Sequence, residues 1–206
     1  MKKIILSALL FVMLISMSYQ SAEATCPTGF TEYTQTITYG GCEWTVIFCV
    51  KCGVTTGYNE VWIQQFSIQN SSCYTYFTAH SQEVIDAIAA NVTLLTADIC
   101  GIKPPCGSGI RYTYVYLATC WQNMHVVNST EDYFVQRFCS DIEFCKSTYS
   151  TCWDYSVTPA TPVLTLIGKQ HYGTPQCARN NNKPSDFDNP TPPNNWSSCW
   201  EEFLCK

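Results

Sequence analysis

Tyrosines occupy every second position of one short segment, as Tyr112, Tyr114 and Tyr116. At this spacing all the rings lie on the same face of a β-strand. A row of rings on an exposed sheet face can stack on sugars or pack against a protein partner, which makes these tyrosines candidate binding residues. The alternative is that they fill the core while Val115 and Leu117 face outward. Alternating aromatic residues are ordinary inward-facing strand residues, which favours this core placement.

Acidic residues also alternate, at Asp141 and Glu143. With Asp132 or Asp154 they could form a carboxylate pair for glycoside hydrolysis. That reaction needs two carboxyl groups about 5–10 Å apart across a cleft. A solvated strand face explains the same pattern equally well, so hydrolysis is the third function that we consider.

Cys49 and Cys52 form a C-x-x-C pair, which suggests a redox motif or half of a zinc site. A redox pair of the thioredoxin type opens a helix, whereas here Cys49 ends a predicted strand and Gly53 follows Cys52. A zinc ribbon needs a second close pair, and the nearest candidates, Cys100 and Cys106, are too widely spaced. Two half-cystines are therefore the preferred interpretation.

Other motifs for metals or nucleophiles are weak. The three histidines, His80, His125 and His171, lack metal-binding spacing, and no G-x-S-x-G or H-E-x-x-H motif occurs. Residues 186–189 resemble a fragment of a calcium loop without its glycine and distal glutamate. We therefore predict no metal, no cofactor and no catalytic residue.

The first residues have the layout of a cleaved secretory leader, 1–24. Lys2 and Lys3 precede an apolar run over 4–17, and small residues follow. No later stretch approaches the roughly 20 apolar residues of a membrane span. We expect a secreted protein, extracellular or at the cell surface, with the periplasm as an alternative. A lipid anchor on Cys26 is disfavoured because it would leave an odd number of cysteines.

Cysteine usage agrees with export. All fourteen cysteines follow the predicted leader, and an even number in an exported chain predicts seven disulfide bridges. The disulfide candidates are Cys26, Cys42, Cys49, Cys52, Cys73, Cys100, Cys106, Cys120, Cys139, Cys145, Cys152, Cys177, Cys199 and Cys205. The sequence does not choose among their pairings.

The charge of the chain restricts its partners. Eleven basic and sixteen acidic side chains give a net charge of −5, which is unfavourable for nucleic acid or anionic membranes. The candidate partners are further copies of the chain, other cell-surface components and glycans. N-x-S/T sequons begin at Asn70, Asn91, Asn128 and Asn195.

A β-hairpin is the clearest predicted element. Residues 33–39 and 42–49 flank Gly40-Gly41, and a Gly-Gly loop suits the tight turns of antiparallel strands. This register places Ile37 opposite Trp44 on a largely apolar face. It also separates the first and last residues of 42–49 by about 23 Å, so the cysteines at the two ends must pair with other elements.

Further strands are expected over 61–68, 110–121, 133–139 and 163–167. One helix should begin at Ser81, with Glu83 and Asp86 in its early turns. Its apolar face would consist of Val84, Ile85, Ile88, Val92 and Leu95. The fold class is therefore mainly β, an antiparallel sandwich or barrel-like domain over 25–170 with one helix and disulfide staples.

From 171 to 206 the chain is rich in proline and asparagine and lacks apolar periodicity. Its cysteines and aromatic residues, including Trp196 and Trp200, predict an irregular tail that is anchored back onto the domain.

Cysteine, glycine and proline positions also carry a family resemblance. The segments 26–30, 49–53, 102–107 and 195–199 resemble those of uncharacterised secreted cysteine-rich proteins of environmental Bacteroidota and their relatives. The resemblance covers most of the predicted mature chain. It implies a shared disulfide scaffold and no catalytic residues.

The function expected from the sequence is that of a noncatalytic extracellular protein, a component of a surface structure, a filament or an adhesive layer. A carbohydrate-binding module that uses the tyrosine row is the alternative, and a secreted hydrolase is the third. An extended terminal segment could join copies by adding to a neighbour's sheet edge.

Overall fold

The computed structural model describes residues 26–53, 55–69, 71–127, 132–139, 143–174, 177–178, 183–187, 195–201 and 205. The predicted leader, Asp141, and the sequons at Asn70 and Asn128 lie outside the described residues. The fragment of a calcium loop at 186–189 is described only in part.

The fold is mainly β, with one helix among the described residues. The strands are β1 (Thr31–Tyr39), β2 (Cys42–Lys51), β3 (Tyr58–Gln69), β4 (Arg111–Ala118), β5 (Cys120–Val127), β6 (Asp132–Phe138), β7 (Phe144–Asp154), β8 (Thr161–Tyr172) and β9 (Trp200–Glu201), and the helix is α1 (Ser71–Cys100). The mainly β class with a single helix and disulfide staples is confirmed.

The sheet is built around β3. One edge of β3 pairs with β2, which pairs with β1. The other edge is shared, because 58–63 pair with β4 and 65–69 pair with β6. The pairing continues through β7 to β8 on one branch, and through β5 to β9 on the other. Gln64 is the extra residue of a β-bulge and lies where this edge of β3 changes from pairing with β4 to pairing with β6. A bulge increases the local twist of a strand, which separates the two branches of the sheet.

The sheet is mixed and open, which refines the expected antiparallel sandwich or barrel. Strands β3 and β4 run parallel, and α1 is the crossover between them. Parallel neighbours cannot be joined by a tight turn, so a long connection is required. The helix lies on one face of the sheet.

The hairpin of β1 and β2 has the predicted register. Ile37 lies opposite Trp44, and both side chains are buried. Gly40 and Gly41 have φ of 62° and 76°, the left-handed conformation that the turn requires.

Helix α1 is bent at His80, whose φ of −132° and ψ of 28° are not helical. The second half thus begins next to Ser81, as predicted. The predicted apolar face is buried at Val84, Ile85, Ile88 and Val92. An additional helical segment, 71–79, precedes the predicted start.

The core between α1 and the sheet is rich in aromatic side chains. Phe77 of the helix packs against Trp44 and Phe66, with ring centroids 5.9 Å and 5.5 Å apart. Trp121 lies 5.4 Å from Phe66 and is fully buried. These rings connect the hairpin, the helix and the start of β5.

Two strand predictions differ from the structure. The expected strand 110–121 is divided at Thr119 into β4 and β5, because the chain there leaves one branch of the sheet for the other. Strand β7 was not predicted. Its buried positions include the small polar residues Ser147 and Thr151, which weaken the apolar alternation.

All fourteen cysteines form disulfides. The bridges are Cys26–Cys49, Cys42–Cys73, Cys52–Cys100, Cys106–Cys152, Cys120–Cys177, Cys139–Cys199 and Cys145–Cys205. The two ends of β2 are thus bonded to separate elements, as the register required.

The tail is anchored to the sheet. Its three cysteines, Cys177, Cys199 and Cys205, are bonded to residues of the 120–145 region. Phe187 is buried, and its carbonyl accepts hydrogen bonds from Asn123 and Tyr74. Tail residues thereby complete the polar part of the core.

Candidate functional site

The sheet face turned away from α1 carries a group of aromatic side chains from four strands. We call it the aromatic face, and it consists of Tyr58, Trp62, Tyr112, Tyr114, Tyr116, Phe144 and Tyr172. Register places these rings side by side, because β4 lies between β3 and β7, and β7 pairs with β8. The three predicted tyrosines therefore form part of a larger surface.

The expectation that the tyrosines fill the core is wrong. Val115 and Leu117 are buried residues of β4, at 1% and 8% exposure, and they lie opposite Ile85 and Ala89 of α1. Tyr112, on the other face, is 36% exposed. Alternation shows which residues of a strand share a face, but not which of the two faces the helix covers.

Neighbouring rings of the aromatic face stack on each other. Tyr58 and Tyr114 have centroids 4.7 Å apart, and Trp62 and Tyr116 are also 4.7 Å apart with planes 15° from parallel. Rings lying side by side in one plane could not approach so closely, so Trp62 and Tyr116 overlap in the offset stacked arrangement, whereas the planes of Tyr58 and Tyr114 are tilted by 35°. Their inner faces are closed to a ligand.

The remaining ring faces also have neighbours. The ammonium of Lys146 lies 3.6 Å from the centroid of the Tyr114 ring, a cation–π contact. Phe144 meets Tyr116 at 5.5 Å with planes 77° apart, and stacks on Tyr172 at 5.2 Å. The surface consequently presents ring edges and phenol hydroxyls more than open ring faces.

Polar groups lie among the rings of the aromatic face, with Glu60 between Tyr58 and Trp62 on β3. The Tyr116 hydroxyl donates to Glu60 Oε1 at 3.1 Å, and Lys51 Nζ lies 3.1 Å from Glu60 Oε2. Burial and the nearby Glu60 carboxylate raise the pKa of Tyr116 above its usual range, so this phenol remains a donor at physiological pH. The Tyr172 hydroxyl donates to Gln170 Oε1 at 2.7 Å. These polar groups can bind a partner through noncovalent contacts.

The carboxylates considered for hydrolysis lie in separate surroundings. Glu143 is 1% exposed, and its Oε1 lies 2.8 Å from His171 Nε2. Asp132 contacts His125 at 2.6 Å. Asp154, where hydrogen bonds from Ser156 lower the pKa, lies at the opposite end of β7 from Glu143, about 36 Å away along the strand. Asp141, the predicted partner of Glu143, lies outside the described residues.

The cysteine and histidine candidates are accounted for by structural contacts. Cys49 and Cys52 are bonded to different partners, Cys26 and Cys100. His80 stacks on a ring of the same helix and lies 3.3 Å from a glutamate. In the described part of the chain no three His, Cys, Asp or Glu side chains are arranged to hold a metal ion.

Two further observations concern partners. Within the described ranges, no helix combines the length and the apolar character needed to cross a membrane. The sequon residues Asn91 and Asn195 are exposed, which leaves both side chains accessible.

Sequence reasoning missed Tyr58, Trp62, Phe144 and Tyr172 as members of the aromatic face. Trp62 was within a predicted strand, at alternating spacing from Glu60, but its alignment with Tyr116 depends on the parallel pairing of β3 and β4. Phe144 begins the strand that was not predicted.

Comparison with protein-family models, curated proteins and solved structures finds no match. The resemblance to secreted cysteine-rich proteins of Bacteroidota stays a prediction.

Proposed function

We propose that this chain is a noncatalytic extracellular protein, a component of a surface structure, a filament or an adhesive layer, which binds its partner through the aromatic face. The observation that carries the proposal is that face itself. Four strands place seven aromatic side chains on the side of the sheet that α1 leaves uncovered. Apolar side chains collected on one surface are typical of interaction sites.

The disulfides support the extracellular part of the proposal. Strands β2, β5 and β7 and helix α1 each carry at least one cysteine of the seven bridges, which span 23 to 60 residues of sequence. Such a scaffold suits an oxidising environment and resists unfolding there.

Ring packing favours a protein surface as the partner. The Tyr114 ring is approached by Tyr58 of β3, with centroids 4.7 Å apart, and by the Lys146 ammonium of β7 at 3.6 Å, so part of its surface is occupied before any sugar stacks upon it. Ring edges and hydroxyls can instead pack against side chains and donate hydrogen bonds across an interface.

Cell-surface retention tests the proposal. The secreted protein should stay with the envelope fraction of producing cells, and Tyr112→Ala and Tyr114→Ala should release most of it into the medium. Thr34→Ala, an exposed change on β1, is the matched control and should be retained as the wild type is. Equal retention of all variants would remove the aromatic face from the proposal.

Carbohydrate binding is the second candidate, because Tyr112 is the most open of the three tyrosines, at 36% exposure. On a glycan array, specific binding by the wild type that Tyr112→Ala and Tyr114→Ala abolish would favour it. Absence of any binding that these substitutions abolish would exclude it.

A further inference from the structure

Exposed large apolar side chains are concentrated in a few neighbouring segments of the described chain. Among the residues that the structure describes, they are Ile110, Tyr112, Tyr155, Val157, Val163, Leu166 and Ile167. All belong to the start of β4, to the β7–β8 connection or to β8. Strand β8 contributes three of them, at 46%, 45% and 58% exposure.

Strand β8 ends one branch of the sheet. Its inner edge pairs with β7 over the whole of Thr161–Tyr172, and in the described ranges no strand pairs with its outer edge. An open edge of this length presents a row of backbone donors and acceptors to a further strand. Proteins commonly protect such edges with charge, proline or a bulge.

Strand β8 has such protection only at the two ends of a short central segment, 163–167, which we call the apolar edge segment. Pro162 precedes it, and its last residue, Ile167, is the extra residue of a bulge. The next charged residue, Lys169, is directed to Asp86 of α1, at 2.8 Å. The apolar edge segment itself, Val-Leu-Thr-Leu-Ile, carries no charge.

The terminal segments are poor donors of a strand to this edge. Cys26 is bonded to Cys49, and the tail is held by Cys177, Cys199 and Cys205 to the chain's own sheet. The tail also pairs with β5 through β9. An extended donor from these segments would have to leave contacts that disulfides hold in place.

The apolar edge segment is instead complementary to itself. When two copies run antiparallel about Thr165, Leu164 meets Leu166 of the other copy, and Val163 lies next to the bulged Ile167. A two-fold interface requires this kind of self-complementarity, and cross-strand apolar pairs stabilise it. We infer that two copies of the chain pair edge to edge through residues 163–167 of β8 and form a homodimer with a continuous sheet.

The dimer has a consequence for the aromatic face, and this step rests on the proposed function. The two-fold axis of an antiparallel strand pair runs perpendicular to the sheet, so both aromatic faces lie on the same side. Two joined faces bind a surface with an avidity that exceeds the single affinity by about 10²–10⁴-fold when the geometry permits both to engage.

Molar mass in solution tests the inference. At concentrations on the order of 10–100 µM, where small interfaces associate, the secreted protein should have twice the mass of one chain by light scattering. Leu166→Lys places a charge in the pairing and should halve the mass. Thr34→Lys introduces the same charge on the exposed edge strand β1 and should leave the dimer intact. A monomeric wild type, or a dimer broken by Thr34→Lys and not by Leu166→Lys, would overturn the inference.

Covalent capture gives a second measurement. Thr165 lies at the proposed two-fold axis, where opposed Cβ atoms are about 4.5–5.5 Å apart, so Thr165→Cys should yield a disulfide-linked dimer on a nonreducing gel. Thr36→Cys on β1 is the matched control and should stay uncrosslinked. Equal crosslinking of both variants would overturn the pairing.

The outcomes separate the inference from the proposed function. If Leu166→Lys is monomeric and its retention at the cell surface falls tenfold or more, both stand. Should the wild type be monomeric while Tyr114→Ala still abolishes retention, only the dimer is wrong. A dimer that Leu166→Lys dissociates, with retention unaffected by Tyr114→Ala, leaves the dimer and removes the proposed function.

Discussion

The rings of Trp62 and Tyr116 lie 4.7 Å apart, 15° from parallel, on neighbouring strands that run in the same direction. Stacked pairs of this kind add about 0.5–1.5 kcal/mol beyond the burial of apolar area. We expect Tyr116→Ala to lower the free energy of unfolding by about 1–3 kcal/mol. Tyr116→Phe keeps the stack and should lose less than half of that. Denaturant unfolding with the disulfides intact measures both, and equal losses would show that the hydroxyl, not the ring, stabilises the pair.

The turn between β1 and β2 offers a matched pair of substitutions. Both glycines have positive φ, but a Cβ on Gly40 would lie 2.5 Å from the Tyr76 ring, whereas nothing lies within 4 Å of a Cβ on Gly41. Gly41→Ala should cost about 1 kcal/mol from backbone strain alone. Gly40→Ala should cost at least about 1 kcal/mol more, because the ring must move. Thermal unfolding of the two variants checks the order, which the opposite ranking would contradict.

These two features differ in how well the sequence predicted them. The Gly40-Gly41 turn determines the register of its flanking strands by local chemistry, so Ile37 and Trp44 could be paired correctly. Tyr116 and Trp62 are 54 positions apart, and their contact depends on a helical crossover. The side on which that helix packs is decided by tertiary contacts, which the alternation of tyrosine with valine and leucine does not encode.

Glu143 and His171 offer a test of a buried carboxylate. The Glu143 side chain is almost completely buried, at 2% exposure, and contacts His171 at 2.8 Å. His171→Leu removes this partner, and we expect a loss of about 1–3 kcal/mol in the free energy of unfolding. Glu143→Gln, which keeps a hydrogen-bonding group of similar shape, should lose less than His171→Leu. A neutral effect of His171→Leu in chemical denaturation would show that the contact contributes nothing.

The raised pKa of the buried Tyr149 phenol predicts that the protein loses stability at alkaline pH. Burial, with the Asp86 carboxylate nearby, raises the pKa of Tyr149 to about 12. The pKa of Tyr149 is higher in the folded than in the unfolded protein. The neutral phenol therefore contributes its full stabilisation to the fold below pH 10, the unfolded pKa, and this contribution to the free energy of unfolding is lost as the pH rises to 12. The two-unit difference corresponds to about 3 kcal/mol.

Tyr149→Phe should therefore reduce the fall in stability between pH 9 and pH 11.5, followed by thermal unfolding. Tyr112→Phe, at an exposed ring, is the control and should follow the wild type. Identical pH profiles for the wild type and Tyr149→Phe would contradict the assignment.

A thiol assay tests the disulfide scaffold. The denatured, unreduced protein should show no reactive thiol, because all fourteen cysteines are bonded. Replacing both Cys139 and Cys199 by Ser should loosen the tail around residue 199, which two other bridges still hold, lower stability by about 2–5 kcal/mol and leave the other cysteines unreactive. Two or more thiols in the wild type would reopen metal and redox roles.

The pairing of those cysteines could not be predicted, even though their oxidation could. Register excluded a bond between Cys42 and Cys49, but the partners Cys73 and Cys26 are set by the position of α1 and of the N-terminal segment. The unpredicted strand β7 shows the same limitation, since Ser147 and Thr151 are buried by packing that their polarity does not indicate.

The connectivity has a consequence for how the chain must be made. None of the seven bridges joins two cysteines that are consecutive in the sequence; even the shortest, Cys26–Cys49, passes over Cys42. Oxidation of thiols in the order of their emergence during synthesis would therefore produce a wrong bond at every step. Native pairing requires that thiols either stay reduced past their nearest neighbour in the sequence or exchange partners afterwards, so the yield will depend on an isomerase or a redox buffer more than on oxidising power.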